Sequence, residues 1–253
     1  MLQSGSASCR MEKDTEIKKE YGYYTLKQAT VISLLYFGFQ YACYRVAYYI
    51  SLWVNVTPIS VKLPLDDMIP LVSVFIIPYI YAFFFWISGL VIISRCDRQH
   101  YSDYLAANLI CCLITTVILV AFPAYMDRAA EGLLDFPENP SVFEWIRRIV
   151  CIFDGWEVGF SLLPSFHCIS STICILGVTG RKEFSKGFKV YTIVAAVLIM
   201  VSTLFVKQHY FLDTVTGIAL ALIVYFPCKK YHWGRMFAPL ERRIDQWIAE
   251  HRQ

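Results

Sequence analysis

Apolar residues fall into six blocks parted by short polar segments, near residues 28–53, 68–94, 103–125, 161–179, 189–206 and 210–228. A helix needs roughly 20 residues, within a range of about 17–25, to cross a hydrocarbon core. The last three blocks stand at the short end, kept apart by charged and turn-forming residues. Lipid leaves open backbone groups unsatisfied, so blocks buried in a membrane must be helical. The pattern predicts an all-α integral membrane protein, six transmembrane helices in one bundle, with an outer-face loop between the third and fourth spans. It divides the chain into a polar tail over 1–27, a membrane domain over 28–228 and a basic amphipathic tail over 229–253.

The segments outside the blocks refine this. The first 27 residues have mixed charge and lack the apolar core of a signal peptide, so no cleavage is expected. The long loop near 126–160 holds Asp127, Glu131, Asp135, Glu138, Asp154 and Glu157, with Pro137 and Pro140 as breakers. Within it, Val142 to Cys151 predicts a short amphipathic helix on the membrane surface. Phe237, Leu240, Ile244, Trp247 and Ile248 recur at helical spacing and predict a second interfacial helix.

Composition agrees with membrane burial. Hydrophobic residues make up 57% of the chain and charged residues 17%, with a mean hydropathy of +0.49. Soluble globular domains lie nearer about 45–50% apolar and about 25% charged, which excludes an ordinary soluble enzyme, a disordered chain and a coiled coil. The net charge of +3 is too small for a nucleic-acid footprint, so no nucleic-acid partner is expected. Nine cysteines with no CxxC pair predict buried inert thiols rather than a disulfide framework or a zinc site.

The cations set an orientation. With the N-terminus inside, 17 Lys and Arg fall on inner segments and five (Lys62, Arg128, Arg147, Arg148, Lys207) on outer ones, Arg45 lying within the first span. Acidic residues divide evenly, so the bias belongs to the cations. Both termini are expected on the cytoplasmic side of a cell membrane, with the long loop outside.

Ionisable residues inside a membrane are costly and ask for a reason. Two clusters meet that test: Leu163-Pro164-Ser165-Phe166-His167, opening the fourth span, and Lys207-Gln208-His209-Tyr210-Phe211-Leu212-Asp213, leading into the sixth. Both spans begin at the same face, which puts two histidines at similar depth. His209 and Asp213 are four apart and share a helix face. A carboxylate there holds one imidazole nitrogen and leaves the other as nucleophile or base. Ser165 caps a helix start whose amides can take an anion, and Lys207 and Arg128 can supply positive charge to a phosphate. The set suits phosphoryl transfer through a phosphohistidine: His209 attacks phosphorus, Asp213 steadies it, and His167 protonates the leaving oxygen and then activates the acceptor. These cations need no metal or other cofactor beside them. Arg147 and Arg148 read as surface charges, and Tyr125 and Tyr210 as interface anchors.

Pro164-Ser165-Phe166-His167 resembles the Pro-Ser-Gly-His motif of the type 2 phosphatidic acid phosphatase superfamily. Ser202, His209 and Asp213 resemble its third motif, Ser-Arg-x5-His-x3-Asp. The resemblance spans roughly residues 120–225 and implies a six-helix membrane core, His209 as nucleophile and His167 as acid. Arg128 matches the arginine of the first motif, Lys-x6-Arg-Pro, while Ala121 and Ala129 stand at its Lys and Pro positions. Phe166 stands at the glycine of the second motif and Thr203 at the arginine of the third. These variants, with Asp66-Asp67-Met68-Ile69-Pro70 before the second span, resemble the inositol phosphorylceramide synthase branch, which is inositolphosphotransferase-like. Lys207 is then the candidate to replace a missing cation.

Three functions are open at this point. The first is a membrane lipid phosphatase hydrolysing phosphatidic acid or an isoprenyl phosphate or diphosphate at the outer leaflet. The second is a phosphotransferase passing a phospho-head group to a polyol or lipid alcohol. The third is an inactive membrane scaffold or transporter. Nothing in the sequence sets an oligomeric state.

Overall fold

The computed structural model describes residues 24–135, 137–153, 158–160 and 162–250. Residues 1–23 of the expected polar tail lie outside that set, as do Asp154 and Glu157 of the long loop.

The chain is mostly helical. In order it forms α1 (Leu26–Val54), β1 (Ile59–Ser60), α2 (Pro64–Met68), α3 (Ile76–Ile93), α4 (Arg98–Ala121), β2 (Ala124–Asp127) and α5 (Val142–Phe153). There follow β3 (Val158–Phe160), α6 (Phe166–Val178), α7 (Lys186–Phe205), α8 (Phe211–Tyr231) and α9 (Ala238–Glu250). Polar residues at the block edges start the helices. Thr25 and Gln28 form a reciprocal capping box on α1, and Asp97, Ser165 and Ser185 accept amide protons at the starts of α4, α6 and α7.

Among the described residues, four helices are long and apolar enough to cross a membrane: α3 with its leading turn (Ser73–Ile93), α4, α7 and α8. The other two blocks differ. Pro164 and the cap at Ser165 delay the start of α6, leaving 13 helical residues, about 20 Å at the helical rise and short of a core of roughly 30 Å. The 29-residue α1 is long enough but no stretch of it is apolar enough, because Gln40, Arg45 and several tyrosines interrupt it. Large apolar side chains on the spans point outward without protein cover, among them Phe84, Val117, Val190 and Ile223, as a lipid-facing surface requires.

Packing centres on α6, which lies against α7 and α8, while α1 packs on α4, α4 on α8, and α3 on α7. The buried cysteines at 96, 111, 112, 168, 174 and 228 are free thiols within this core. Burial pushes the Cys96 thiol, beyond the end of α3, up to about 11.

The all-α expectation misses a small three-stranded sheet. β1 pairs in parallel with β2 (Ile59 beside Ala124), and β2 pairs antiparallel with β3 (Tyr125 beside Phe160). These strands belong to segments between the apolar blocks, whose backbone groups pair with one another once brought together. The helix expected at Val142–Cys151 is present as α5 and has a strongly one-sided apolar pattern. Phe143, Ile146 and Val150 pack on the bundle, while Trp145, Ile149 and Ile152 are exposed. Arg147 does not match its reading as a surface charge: it is buried and donates to the Leu133 carbonyl at 3.0 Å. Arg148 keeps a partly exposed place over the Trp145 ring.

At the opposite end of the bundle the C-terminal segment is docked on α4. Gly234 packs so tightly there that an added Cβ would lie 2.3 Å from the Ser102 carbonyl carbon, and its amide donates to Asp103 at 2.9 Å. His232 pairs with the same carboxylate at 3.1 Å, and Glu241 accepts from Tyr24 and Ser102 at 2.6 Å each. The expected C-terminal helix is α9; the side chains of Ile244, Trp247 and Ile248 lie outside the described set.

Candidate active site

The site is built where α6 and α8 begin. The Ser165 amide donates to the Asp213 carbonyl at 3.1 Å, and Ser165 Oγ accepts from the Cys168 amide at 3.4 Å. Gly217, one turn into α8, permits this approach, since a Cβ there would lie 2.8 Å from the Ser165 carbonyl oxygen. The two histidine motifs thus meet through backbone contact.

His167 and His209 lie with ring centroids 5.8 Å apart. Aromatic rings of α3 hold His167: Tyr79 stacks on it at 4.4 Å, and Trp86 meets it edge-on at 4.9 Å. Trp86 is itself fixed by donating to Ser171 at 3.0 Å. His209 follows the left-handed turn at Lys207 (φ 53°) that ends α7, and the His209 and Gln208 amides both donate to the Thr203 carbonyl. His209 Nδ1 faces Asp213 Oδ2 at 3.4 Å, with side-chain exposures of 10% and 0%. The same carboxylate oxygen accepts the Tyr210 amide at 2.8 Å, which fixes it against the helix start. With Nδ1 on the carboxylate side, Nε2 is the ring nitrogen left for chemistry.

Three polar atoms in this cluster are buried and make no hydrogen bond: His167 Nε2, His209 Nδ1 and Asp213 Oδ1. Such groups are rare in a folded protein and tend to mark function. The two histidines line a cavity of about 650 Å³ with Arg128 and Gln208, with Tyr79, Phe83 and Trp86 of α3 and with Phe37, Gln40, Tyr41, Tyr44 and Arg45 of α1; Asp213 stands behind His209 and does not line it. Its size falls within the range of about 300–1,000 Å³ typical of ligand pockets.

The cation positions differ among themselves. Arg128 is 1% exposed and reaches the cavity, donating to the Cys151 carbonyl at 3.2 Å and Gln208 Oε1 at 3.0 Å. Lys207 and Ser165 are not among the cavity-lining residues. The Lys207 ammonium instead donates to the Asp66 carbonyl at 2.6 Å. Among the described residues no group of three or more His, Cys, Asp or Glu side chains gathers as a metal cluster.

Sequence reasoning missed two residues here. Asp66, noted above only as part of a branch resemblance, is buried; it accepts the Phe211 amide at 2.7 Å and the Leu63 amide at 2.8 Å, tying α2 to the start of α8. Its acidic character just before an apolar block was the available signal. Gln208 holds Arg128 and also donates to Cys151 Sγ at 3.3 Å, a role that adjacency to His209 alone does not reveal. Around the rim, Lys62 bridges Asp67 at 2.6 Å and Glu131 at 2.8 Å, and these hydrogen bonds raise its ammonium pKa. Tyr210 donates to Glu131 at 3.0 Å; burial first, and then that carboxylate, pushes its phenol up. Its role is thus a rim contact within the protein.

A family model, that of the PAP2 superfamily, matches residues 50–226, well over half of the chain. Neither a curated protein nor a solved structure is significantly similar to the chain.

Proposed function

Since the chain belongs to the PAP2 superfamily, the type 2 phosphatidic acid phosphatases, we propose that it is an integral membrane lipid phosphatase working through a phosphohistidine. The observation that carries this reading is the meeting of His167 and His209 at one cavity, their rings 5.8 Å apart, with Asp213 facing His209 at 3.4 Å. His209 Nε2 attacks phosphorus, forming a P–N bond as the bond from phosphorus to the lipid oxygen breaks. His167 gives that oxygen its proton. His167 then takes a proton from water, the resulting nucleophile attacks phosphorus, and the P–N bond breaks to release phosphate and restore His209. Asp213 holds the Nδ1 edge of His209 and offsets the charge that the ring gains.

Arg128 supplies positive charge to the phosphate, exchanging the Cys151 carbonyl for a phosphate oxygen. Ser165 and Lys207 act on the phosphate through the segments they hold, the start of α6 and the turn before His209. No metal takes part on this reading. α1 and α6 join the four helices that are both long and apolar enough to cross, giving a six-span bundle with both termini facing the cytoplasm of a cell membrane and the histidines facing out. The lysine and arginine bias supports that orientation, and tag accessibility at each terminus tests it.

The deciding experiment is phosphate release by purified protein from phosphatidic acid and polyprenyl phosphates, with and without chelator. Release that needs His209 and survives chelator supports the reading; release unchanged by His209→Ala overturns it.

One observation favours a second reading, a phosphotransferase with an alcohol as acceptor, as in the inositol phosphorylceramide synthase branch. The His209 side chain is only 10% exposed, and a site poor in water protects an intermediate from hydrolysis. Head-group-labelled lipid product in place of free phosphate decides for it.

A further inference from the structure

We infer that Gln40 reads the substrate beside its phosphate and selects lipids that carry a free hydroxyl or an amide there over lipids whose backbone is wholly esterified. The inference deepens the lipid-phosphate reading above and rests on it.

Gln40 lies midway along α1, the helix read above as one of the six spans. A carboxamide at such a depth is costly unless something satisfies it. The residue is 7% exposed and lines the cavity that holds His167 and His209. Its carboxamide makes no hydrogen bond among the described residues, unlike Asn108 on the neighbouring helix, which donates to the Tyr104 carbonyl at 2.9 Å. Phe37, Gln40 and Tyr44 recur at helical spacing and share a face of α1, and that face is turned to the cavity. Gln40 and Tyr44 also help keep α1 below the hydropathy of a membrane-crossing helix. Residues 26–49 precede the stretch that matches the superfamily, so the family motifs do not account for this face.

The chemistry of the group it takes follows from the carboxamide. It offers two N–H donors and one carbonyl acceptor. An esterified backbone presents acceptors alone and gives the Gln40 carbonyl no donor. A hydroxyl or an amide donates to that carbonyl and accepts from its N–H, so both ends are satisfied. Phe37, Phe83 and Ile87 of the same cavity are left to the hydrocarbon chain.

The test compares the wild type with Gln40→Met, an apolar side chain of similar length that suits a lipid-embedded helix. Lysophosphatidate supplies a hydroxyl alone, ceramide phosphate an amide together with a hydroxyl, and diacyl phosphatidate of matched chain length the esters alone. The wild type should prefer the first two by kcat/KM, and the variant should lose about five- to tenfold of that preference, the factor that one neutral hydrogen bond is worth. Loss on ceramide phosphate alone identifies the amide as the group that is read, and loss on both substrates identifies the hydroxyl they share. A preference that survives the substitution overturns the inference, as does a variant that fails to fold, since the carboxamide is then structural. A second arm does not depend on turnover. In the His209→Ala background, where turnover is removed, lysophosphatidate and ceramide phosphate should raise the melting temperature more than diacyl phosphatidate does, and that difference should vanish when Gln40→Met is added. Equal stabilisation of both proteins overturns the inference. Phosphate release from none of the substrates by the wild type counts against the phosphatase reading alone, and this binding arm then decides on Gln40.

Discussion

The Ser165 amide donates to the main-chain carbonyl of Asp213 at 3.1 Å, bonding the start of the helix that carries His167 to the first turn of the helix behind His209. The relative position of the two imidazoles is therefore set by backbone, which has fewer ways to relax than side chains have. The contact exists because Gly217 has no Cβ to hold the helices apart. Gly217→Ala should destabilise the protein by about 1–3 kcal/mol through overpacking. A displacement of about 1 Å between the histidines should lower phosphate release by about 100-fold. Melting temperature and initial rate check this together; an alanine variant equal to wild type in both counts against backbone control of the site.

Asp213 faces His209 at 3.4 Å and is anchored by the Tyr210 amide. Asn in its place keeps an acceptor for that amide but removes the charge facing the imidazole. Asp213→Asn should lower kcat by about 10²–10⁴ with little change in KM, and His209→Ala should remove turnover. Steady-state kinetics on one lipid phosphate decides it. A large rise in KM at constant kcat would assign Asp213 to substrate binding instead.

Asp66 and Asp67 are neighbours with different surroundings, which makes them controls for each other. Asp66 is buried and accepts two amides, whereas Asp67 is an exposed partner of Lys62. Asp66→Ala should cost about 1–3 kcal/mol for each amide left unpaired and disturb the turn holding His209. Asp67→Ala should cost under about 1 kcal/mol. Thermal unfolding of the two purified variants tests the contrast, and equal losses contradict it.

At the far end of the bundle Arg181 bonds both Asp97 and Glu183. Burial raises the Asp97 carboxyl, but the His100 amide and Arg181 outweigh it and hold it below its ordinary value. The Arg181 hydrogen bond draws Glu183 down in the same way. A carboxylate depressed by folding contributes stability that is full above its unfolded pKa, about 3.9 for Asp and 4.3 for Glu. That contribution is lost as pH falls through the lower folded value. The melting temperature should therefore drop as pH falls below about 4, and less steeply in Asp97→Asn. Superimposable pH profiles for the two proteins would remove Asp97 from the account.

The sequence by itself determined the helical blocks, their caps and the residues that meet at the histidine site. Lipid burial and helix capping depend on neighbours within a few turns, so Ser165 already marks a helix start. Spacing keeps His209 within reach of Asp213, although His209 sits in the turn before α8 and not on a helix face shared with it, and His167 joins them because α6 and α8 begin at one end of the bundle. Tertiary structure decided what each polar group bonds. Asp66 reaches Phe211 from 145 positions away and Arg128 reaches Gln208 from 80, separations that no periodicity encodes. The same packing buries Arg147, turns Lys207 towards the Asp66 carbonyl and brings three loop segments into a sheet. It also turns one polar face of α1 to the cavity. A hydropathy pattern measures the cost of burying a residue. Which partner repays that cost is settled only when distant segments are packed together.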